Sequence, residues 1–200
     1  ESRVPRGFKY PVRTIKNNIV GTGNILESIK EVNPKIWCIY GSSREVYGET
    51  KNKSKENDSI NPINVYATTK YSSELLMRNF CSNYGLETFV VRFSNVYGGL
   101  NDHKDRVTPK FMIQAMTNKN ITVDGGKQIF DFVHLDDATD AVVKLVDKII
   151  SKKIKAKTFH FVTGKGTSIM ELAKKIIKTT KSDSKIEIKK PRDYDVNHFV

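Results

Sequence analysis

Residues 65–93 read VYATTKYSSELLMRNFCSNYGLETFVVRF, and this stretch decides the fold class. Val65 to Tyr84 predicts a long helix that Gly85 ends, because glycine readily adopts the left-handed conformation found just beyond helix C-termini. Thr88 to Phe93 is short and largely apolar, as expected of a strand buried on both faces of a parallel sheet. A long helix followed at once by such a strand is typical of a βαβ unit.

The same alternation continues on both sides of this stretch. Upstream, apolar residues at helical spacing predict a helix from Asn17 to Asn33, Ile36 to Tyr40 predicts a buried strand, and residues 48–64 form a polar loop. Downstream, the pattern predicts helices over 108–118, 138–150 and 168–179 and strands over 121–123, 130–133, 158–162 and 186–188. We therefore predict an α/β fold, a Rossmann-like doubly wound parallel sheet with helices on both faces.

Composition indicates a globular chain of about one domain. The 200 residues are 38% hydrophobic and 28% charged, and no apolar run is long enough to cross a bilayer. Cys38 and Cys81 lack metal-ligand spacing and no secretory leader is present, so we expect a cytoplasmic protein with neither a metal nor a membrane partner. The net charge of +12 is compatible with a nucleic-acid-binding domain, but the lysines are scattered. We favour a solvated surface and no nucleic acid.

Tyr66 and Lys70 are the first candidates for chemistry. Residues i and i+4 of a helix share a face, so the phenol and the ammonium are expected to lie together. A nearby ammonium favours phenolate and lowers the pKa of a tyrosine, which would make Tyr66 a base for a substrate hydroxyl. The alternative is an exposed helix pair with no function.

Three further motifs surround this pair in order. SSREVYG at 42–48 follows a predicted strand, at the position where parallel sheets place ligands. The motifs RFSNVYG and DFVHLDD follow at 92–98 and 131–137. Together the motifs resemble the extended short-chain dehydrogenase/reductase family, the NAD-dependent epimerases and dehydratases of nucleotide sugars. The resemblance runs from Asn17 to Asp193.

The resemblance implies a role for each matching residue. Ser43 would hold the hydroxyl being oxidised, Tyr66 would be the base, and Lys70 would hold the nicotinamide ribose of the cofactor NAD. Residues implied to bind the cofactor are Tyr66, Lys70, Asn18 and Ser42. Residues implied to bind the nucleotide sugar are Ser43, Asn95, Arg106, Val107 and Arg192. Arg192 would clamp the diphosphate with its fork of donors, whereas Arg92 is expected to be structural.

Glu45, also a candidate catalytic residue, bears on the reaction type. In dehydratases and decarboxylases of the family, a glutamate at this position can remove the proton next to the new carbonyl. The best-known dehydratases place an aspartate just before it, but here that residue is Arg44, which cannot donate a proton. We therefore expect a 4-epimerase of the UDP-glucose 4-epimerase type, acting through a 4-keto sugar. A nucleotide-sugar 4,6-dehydratase, a UDP-glucuronate decarboxylase and a non-catalytic sugar-nucleotide-binding module remain alternatives.

The family's glycine-rich turn, G-x-x-G-x-x-G, is absent from this sequence. Because that turn lets the pyrophosphate approach a helix N-terminus, we expect a fragment of a longer protein that binds NAD poorly and has little activity. We assign 1–107 and 131–150 to the Rossmann-like domain and 108–130 and 151–200 to part of a nucleotide-sugar-binding lobe. The resemblance also implies a homodimer at full length. Phe130 and Asp124 replace an arginine and an aromatic residue common in the family, so the nucleotide base stays open.

Overall fold

Helices and strands alternate in the computed structural model, which describes residues 1–99, 101–192 and 196–200. Asp193, where the motif resemblance ends, lies outside the described residues. The helices are α1 (Val4–Lys9), α2 (Pro11–Ile15), α3 (Gly21–Val32), α4 (Val65–Tyr84), α5 (Val107–Met116), α6 (Leu135–Ile150) and α7 (Ile169–Thr180). The strands are β1 (Cys38–Ser43), β2 (Thr88–Phe93), β3 (Asn95–Tyr97), β4 (Ile121–Asp124), β5 (Ile129–His134), β6 (Thr158–Phe161), β7 (Gly166–Ser168), β8 (Ile186–Lys189) and β9 (His198–Phe199). Within the described ranges, no helix is long and apolar enough to span a bilayer.

The central sheet has three parallel strands in the order β1-β2-β6. Successive side chains of β2 point to opposite faces of the sheet. Val90 packs with Met77 of α4 on one face, whereas Phe89 and Val91 pack with Leu145 of α6 on the other. Helices therefore cover both faces, and the predicted doubly wound parallel α/β fold is confirmed.

Two smaller sheets complete the fold. β5 pairs in parallel with β3 and β9 and antiparallel with β7. β4 and β8 form a separate parallel pair. This pair and the helices α5 and α7 share an apolar cluster of buried residues: Phe111, Ala115, Ile121, Val123, Ile169, Ala173 and Ile176. The unit formed by β4, β8, α5 and α7 thus has an apolar core of its own.

The structure corrects the predicted domain boundary at one strand. β6 lies within residues 151–200, which we assigned to the nucleotide-sugar-binding lobe, but it pairs in parallel with β2. Phe159 and Phe161 of β6 also join the apolar cluster of Phe89. Because its hydrogen bonds and its packing both lie in the central sheet, β6 belongs to the Rossmann-like part.

Residues 4–15 are largely helical, although the sequence pattern predicts no element there. They form α1 and α2, with Pro5 and Pro11 in the first turns, where a proline leaves no hydrogen bond unmade. Gly7 is buried against α4, where an added β-carbon would lie 3.0 Å from Cβ of Tyr66. The N-terminal helices therefore pack directly on α4, and α1 contacts its first turn, which carries Tyr66.

Candidate functional site

The carboxyl ends of β1 and β2 open into a cavity of about 440 Å³. It lies where α/β sheets generally bind ligands. The predicted site residues in its wall are Ser42, Ser43, Glu45, Tyr66, Lys70, Asn95, Arg106, Val107 and Arg192. Asn18 is not in the wall. The fold thus brings nearly all the predicted residues to one place, although they come from widely separated segments.

Tyr66 stands in the first turn of α4. Asn64 caps this helix by accepting a hydrogen bond from the Ala67 N–H at 2.9 Å, which fixes the position of the turn. Tyr66 is only 7% exposed. Burial raises the pKa of the Tyr66 phenol, a hydrogen bond with Ser43 acts in the opposite direction, and the Glu45 carboxylate raises this pKa further. Burial therefore favours the protonated form of the Tyr66 phenol.

Lys70 lies one turn further along α4, on the same face as Tyr66. Its Nζ donates to the Gly41 carbonyl oxygen at 2.9 Å and lies 5.9 Å from the centroid of the Tyr66 ring. Burial lowers the pKa of Lys70 to about 8. The predicted lowering of the Tyr66 pKa by this ammonium is wrong for this structure, because burial of the phenol dominates and raises the pKa.

We expect the Lys70 amine to titrate near pH 8, because its pKa is lowered to about 8 from the value of about 10.4 that is usual for lysine. Unfolding therefore takes up a proton between these two pH values, so the stability that this group contributes rises with pH across that window. Competitive acetylation followed by mass spectrometry at increasing pH measures the midpoint for each lysine. Lys70→Arg identifies the peptide signal, and an ordinary midpoint for Lys70 would contradict the burial that the structure gives it.

Glu45 is held by two donors in the cavity wall. Arg44 Nη2 lies 2.8 Å from Oε1, and Asn64 Nδ2 donates to Oε2 at 3.2 Å. Arg44 and Glu45 are both buried. Each oxygen of this carboxylate is thus already hydrogen-bonded. The role of Asn64 was missed from the sequence, although an asparagine just before a predicted helix is a recognisable capping signal.

Two of the predicted cofactor-binding residues have structural partners. The Ser42 hydroxyl donates to Glu74 Oε1 at 2.6 Å, so its proton is committed within the protein. Asn18 Nδ2 donates to Thr69 Oγ1 at 2.9 Å, which ties the π-helical turn at 16–20 to α4. The structure therefore does not bring Asn18 into the cavity, because its amide is bound against the back of α4.

A buried ion pair lies beneath the cavity. Arg92 Nε and Nη2 donate to the two oxygens of Glu74 at 3.0 and 2.6 Å, and Arg92 Nη1 donates to the Tyr47 hydroxyl at 2.9 Å. Arg92 and Glu74 are both 0% exposed. The expectation that Arg92 is structural agrees with these contacts. Glu74 was missed, but its position two turns after Tyr66 puts it on the same face of α4.

The opposite wall carries the residues expected to hold a nucleotide sugar. Arg106 Nη1 lies 3.3 Å from Asp102 Oδ1, and Arg192 Nε lies 3.9 Å from Asp124 Oδ2. Val107 begins α5 beside them. Arg106 and Arg192 thus place two guanidinium groups in the wall of one cavity, and such forks of donors suit phosphate oxygens. Asp124, where the family often has an aromatic residue, moderates the charge of Arg192.

Asp131 and His134, two residues of the motif over 131–137, make structural contacts. Asp131 is 0% exposed, and its carboxylate accepts hydrogen bonds from the Thr163 N–H and hydroxyl and from the Lys165 N–H. The Asp131 carbonyl accepts from Asn95 Nδ2 at 3.2 Å, so Asn95 is fixed in the cavity wall. His134 caps α6 by accepting from the Asp136 N–H. This motif therefore positions Asn95.

An ion pair that the sequence did not predict joins the two sides of the cavity. Arg3, just before α1, pairs with Asp105, and both residues line the cavity. The Arg3 hydrogen bond holds the pKa of the Asp105 carboxyl below its usual range. The pair connects the N-terminal segment that packs on Tyr66 to the loop that carries Arg106. Across the described part of the chain, no cluster of three His, Cys, Asp or Glu side chains could hold a metal ion.

Comparisons with known proteins identify a family and several similar proteins. A model of the NAD dependent epimerase/dehydratase family matches residues 1–157. The chain is 29% identical over 189 residues to dTDP-D-glucose 4,6-dehydratase of Dictyostelium discoideum. The match covers 88% of this chain and 42% of that relative. It is 33% identical over 152 residues to UDP-glucuronic acid decarboxylase 3 of Arabidopsis thaliana, which covers 72% of this chain and 44% of that relative.

A solved structure is also similar. UDP-glucose 4-epimerase of Thermotoga maritima, determined with UDP-glucose, superposes with a TM-score of 0.89 at 27% identity and covers 100% of this chain and 65% of that one. The chain spans less than half the length of the two relatives above, at 42% and 44%. By their names these three proteins catalyse three different reactions. The reaction of this chain has to be argued from its own site.

Proposed function

Because this chain belongs to the NAD dependent epimerase/dehydratase family, we propose that it carries the proton-transfer groups and the substrate site of a nucleotide-sugar 4-epimerase. The proposed substrate is a nucleoside diphosphate hexose, whose diphosphate would meet Arg106 and Arg192. The observation that carries the choice of reaction is the pairing of Glu45 with Arg44 and Asn64.

This pairing favours epimerisation over elimination. Loss of water next to a new carbonyl needs a base that takes a proton from carbon, and Glu45 is the carboxylate at the position expected for it. Both Glu45 oxygens already accept hydrogen bonds, one of them from a cation, so these partners would have to be displaced or shared before an oxygen could contact a carbon-bound proton. A 4-epimerase needs no such base, because only the hydroxyl proton moves on and off the protein. A dehydratase or decarboxylase is the second candidate, since Glu45 does line the cavity.

Ser43 and Tyr66 are the groups proposed to move that hydroxyl proton. Ser43 hydrogen-bonds the Tyr66 phenol, so a substrate hydroxyl bound to Ser43 would have a short path to the phenol oxygen. Only the phenolate form of Tyr66 can accept this proton, and burial raises the Tyr66 pKa, so positive charge beside the ring is needed to stabilise the phenolate. The Lys70 ammonium lies 5.9 Å from the ring centroid and would supply part of that charge.

The residues fit one end of NAD. When bound, NAD supplies a hydride acceptor for the sugar carbon and returns the hydride. Lys70 has three N–H donors, of which the Gly41 carbonyl takes one, so two remain for ribose hydroxyls. A β-carbon on Gly41 would meet only Phe93, at 3.8 Å, which leaves room beside the ammonium. Tyr66 and Lys70 would therefore hold the nicotinamide ribose, while the sequence has no glycine-rich turn for the pyrophosphate.

Product analysis tests this proposal. The protein is incubated with either UDP-glucose or dTDP-glucose and with a large excess of NAD, because the sequence lacks the glycine-rich turn and we expect weak NAD binding, and the sugar is followed by proton NMR. We expect the 4-epimer to appear slowly, and Glu45→Gln to lower the rate only a few-fold, whereas loss of a catalytic base costs about 10²–10⁴-fold. Glu171→Gln, on the exposed face of α7, controls for the loss of a carboxylate elsewhere.

Two other outcomes have definite meanings. A product that has lost water or carbon dioxide, together with inactivity of Glu45→Gln, would favour the dehydratase or decarboxylase. Tight binding of the nucleotide sugar without any turnover would favour the non-catalytic binding module.

A further inference from the structure

Arg44 is a buried cation with one unused donor group. It follows Ser43 at the carboxyl end of β1, is 6% exposed and lines the cavity. Its Nη2 is occupied by Glu45 at 2.8 Å, and its guanidinium lies over the Phe130 ring at 4.3 Å. The ring and the carboxylate therefore hold the guanidinium in place, so its remaining donors point in a fixed direction.

Arg44 Nη1 has no hydrogen-bond partner among the described protein atoms and is shielded from bulk water. Leaving a buried donor unpaired costs about 1–3 kcal/mol, and buried polar groups are nearly always paired. The partner of Nη1 therefore has to be another buried atom. Because Arg44 and Ser43 line the same cavity, an oxygen of a ligand that also reaches Ser43 fits this requirement.

We propose that Arg44 is a specificity-determining residue that donates Nη1–H to an oxygen of the sugar, next to the hydroxyl that Ser43 engages. The inference rests on the proposed function, since it takes a nucleotide sugar as the ligand. The acceptor is a neutral sugar oxygen rather than a second carboxylate, because Glu45 already compensates the charge of Arg44. Phe130 and Glu45 act here as positioning residues for the guanidinium.

Arg44→Lys is the variant that separates this role from a structural one. Lysine keeps a cation for Glu45 but has no second nitrogen to direct at the sugar. Calorimetric titration of the protein with UDP-glucose and with UDP, and in parallel with dTDP-glucose and dTDP, gives the sugar's share of the affinity. We expect Arg44→Lys to weaken sugar-nucleotide binding about 10-fold, as for loss of one charge-assisted hydrogen bond. Binding of the free diphosphate should stay within about two-fold, and Arg78→Lys, on the exposed side of α4, should change neither affinity.

Equal loss, or no loss, of both affinities in a folded Arg44→Lys protein would overturn the inference. Failure of the wild-type protein to bind any of the four nucleotides would instead overturn the proposed function. NMR of the arginine side chains in the wild-type protein gives a test that does not depend on how the variant folds. When UDP-glucose binds, the Arg44 Nη protons should exchange with water more slowly and change chemical shift, whereas UDP should have neither effect. An unchanged Arg44 signal in a saturated complex would contradict the proposal.

Discussion

A Tyr66→Phe variant is expected to lose about 10³-fold in turnover, within the range by which a positioned acid or base accelerates proton transfer. The phenol oxygen is the atom that Ser43 hydrogen-bonds, and phenylalanine removes this oxygen while keeping the buried ring. The measurement is the initial rate of 4-epimer formation with NAD and UDP-glucose. Affinity for UDP-glucose and the thermal midpoint should change little, because the phenylalanine ring fills the same buried space.

Tyr84→Phe is the matched control. Tyr84 lies at the other end of α4 and is 52% exposed, so removing its hydroxyl should leave the rate unchanged. Full activity of Tyr66→Phe would mean that the proton leaves the substrate by another route. Inactivity together with loss of UDP-glucose binding would mean that the phenol acts in binding, and the proton-transfer role would then be wrong.

The sequence was sufficient to predict the sheet and the helices around it. The apolar run of β2 and the helical period of α4 are local patterns, and each element formed where its own residues favour it. The i, i+4 spacing also placed Tyr66 and Lys70 on one face of α4 correctly. These successes share one cause, since the required information lies within a single turn or strand.

The protonation of Tyr66 and Lys70 could not be predicted in the same way. The sequence suggested that the ammonium lowers the phenol pKa, but the structure buries Tyr66 and packs α1, a helix that the sequence pattern did not predict, against the first turn of α4. Gly7 and Tyr66 are far apart in the chain, and the close approach of Gly7 to the backbone and Cβ of Tyr66 is a tertiary contact. Burial is a tertiary property, and here it sets the direction of the pKa shift.

The short strands were missed for a related reason. β3, β7 and β9 contain only two or three residues each and exist because β5 pairs with them. So few residues carry no usable periodicity, and their partners are distant in sequence. The strand β6 was predicted, but its partner β2 is distant in sequence. Its place in the central sheet therefore could not be predicted from local pattern.

Breaking the buried Arg92–Glu74 pair is expected to have the largest effect on stability. Glu74→Leu leaves a fully buried guanidinium without its carboxylate, and removal of one partner of such a pair costs about 3–5 kcal/mol. Because Ser42 also donates to Glu74, the variant loses a third buried hydrogen bond as well. The expected fall in the thermal midpoint is roughly 6–20 °C for a chain of this size.

The double variant Glu74→Leu with Arg92→Met tests whether the cost comes from the stranded charge. We expect the double variant to be less destabilised than the sum of the two single variants, because apolar side chains can replace a buried pair at little cost. Glu171→Gln removes the exposed pair with Lys175 on α7 and should change the free energy of unfolding by less than about 0.5 kcal/mol. Urea unfolding of the wild-type protein and these four variants gives these values. If Glu74→Leu costs no more than Glu171→Gln, the pair does not hold β2 to α4, and the floor of the cavity must rest on the apolar packing of Val90 and Met77 instead.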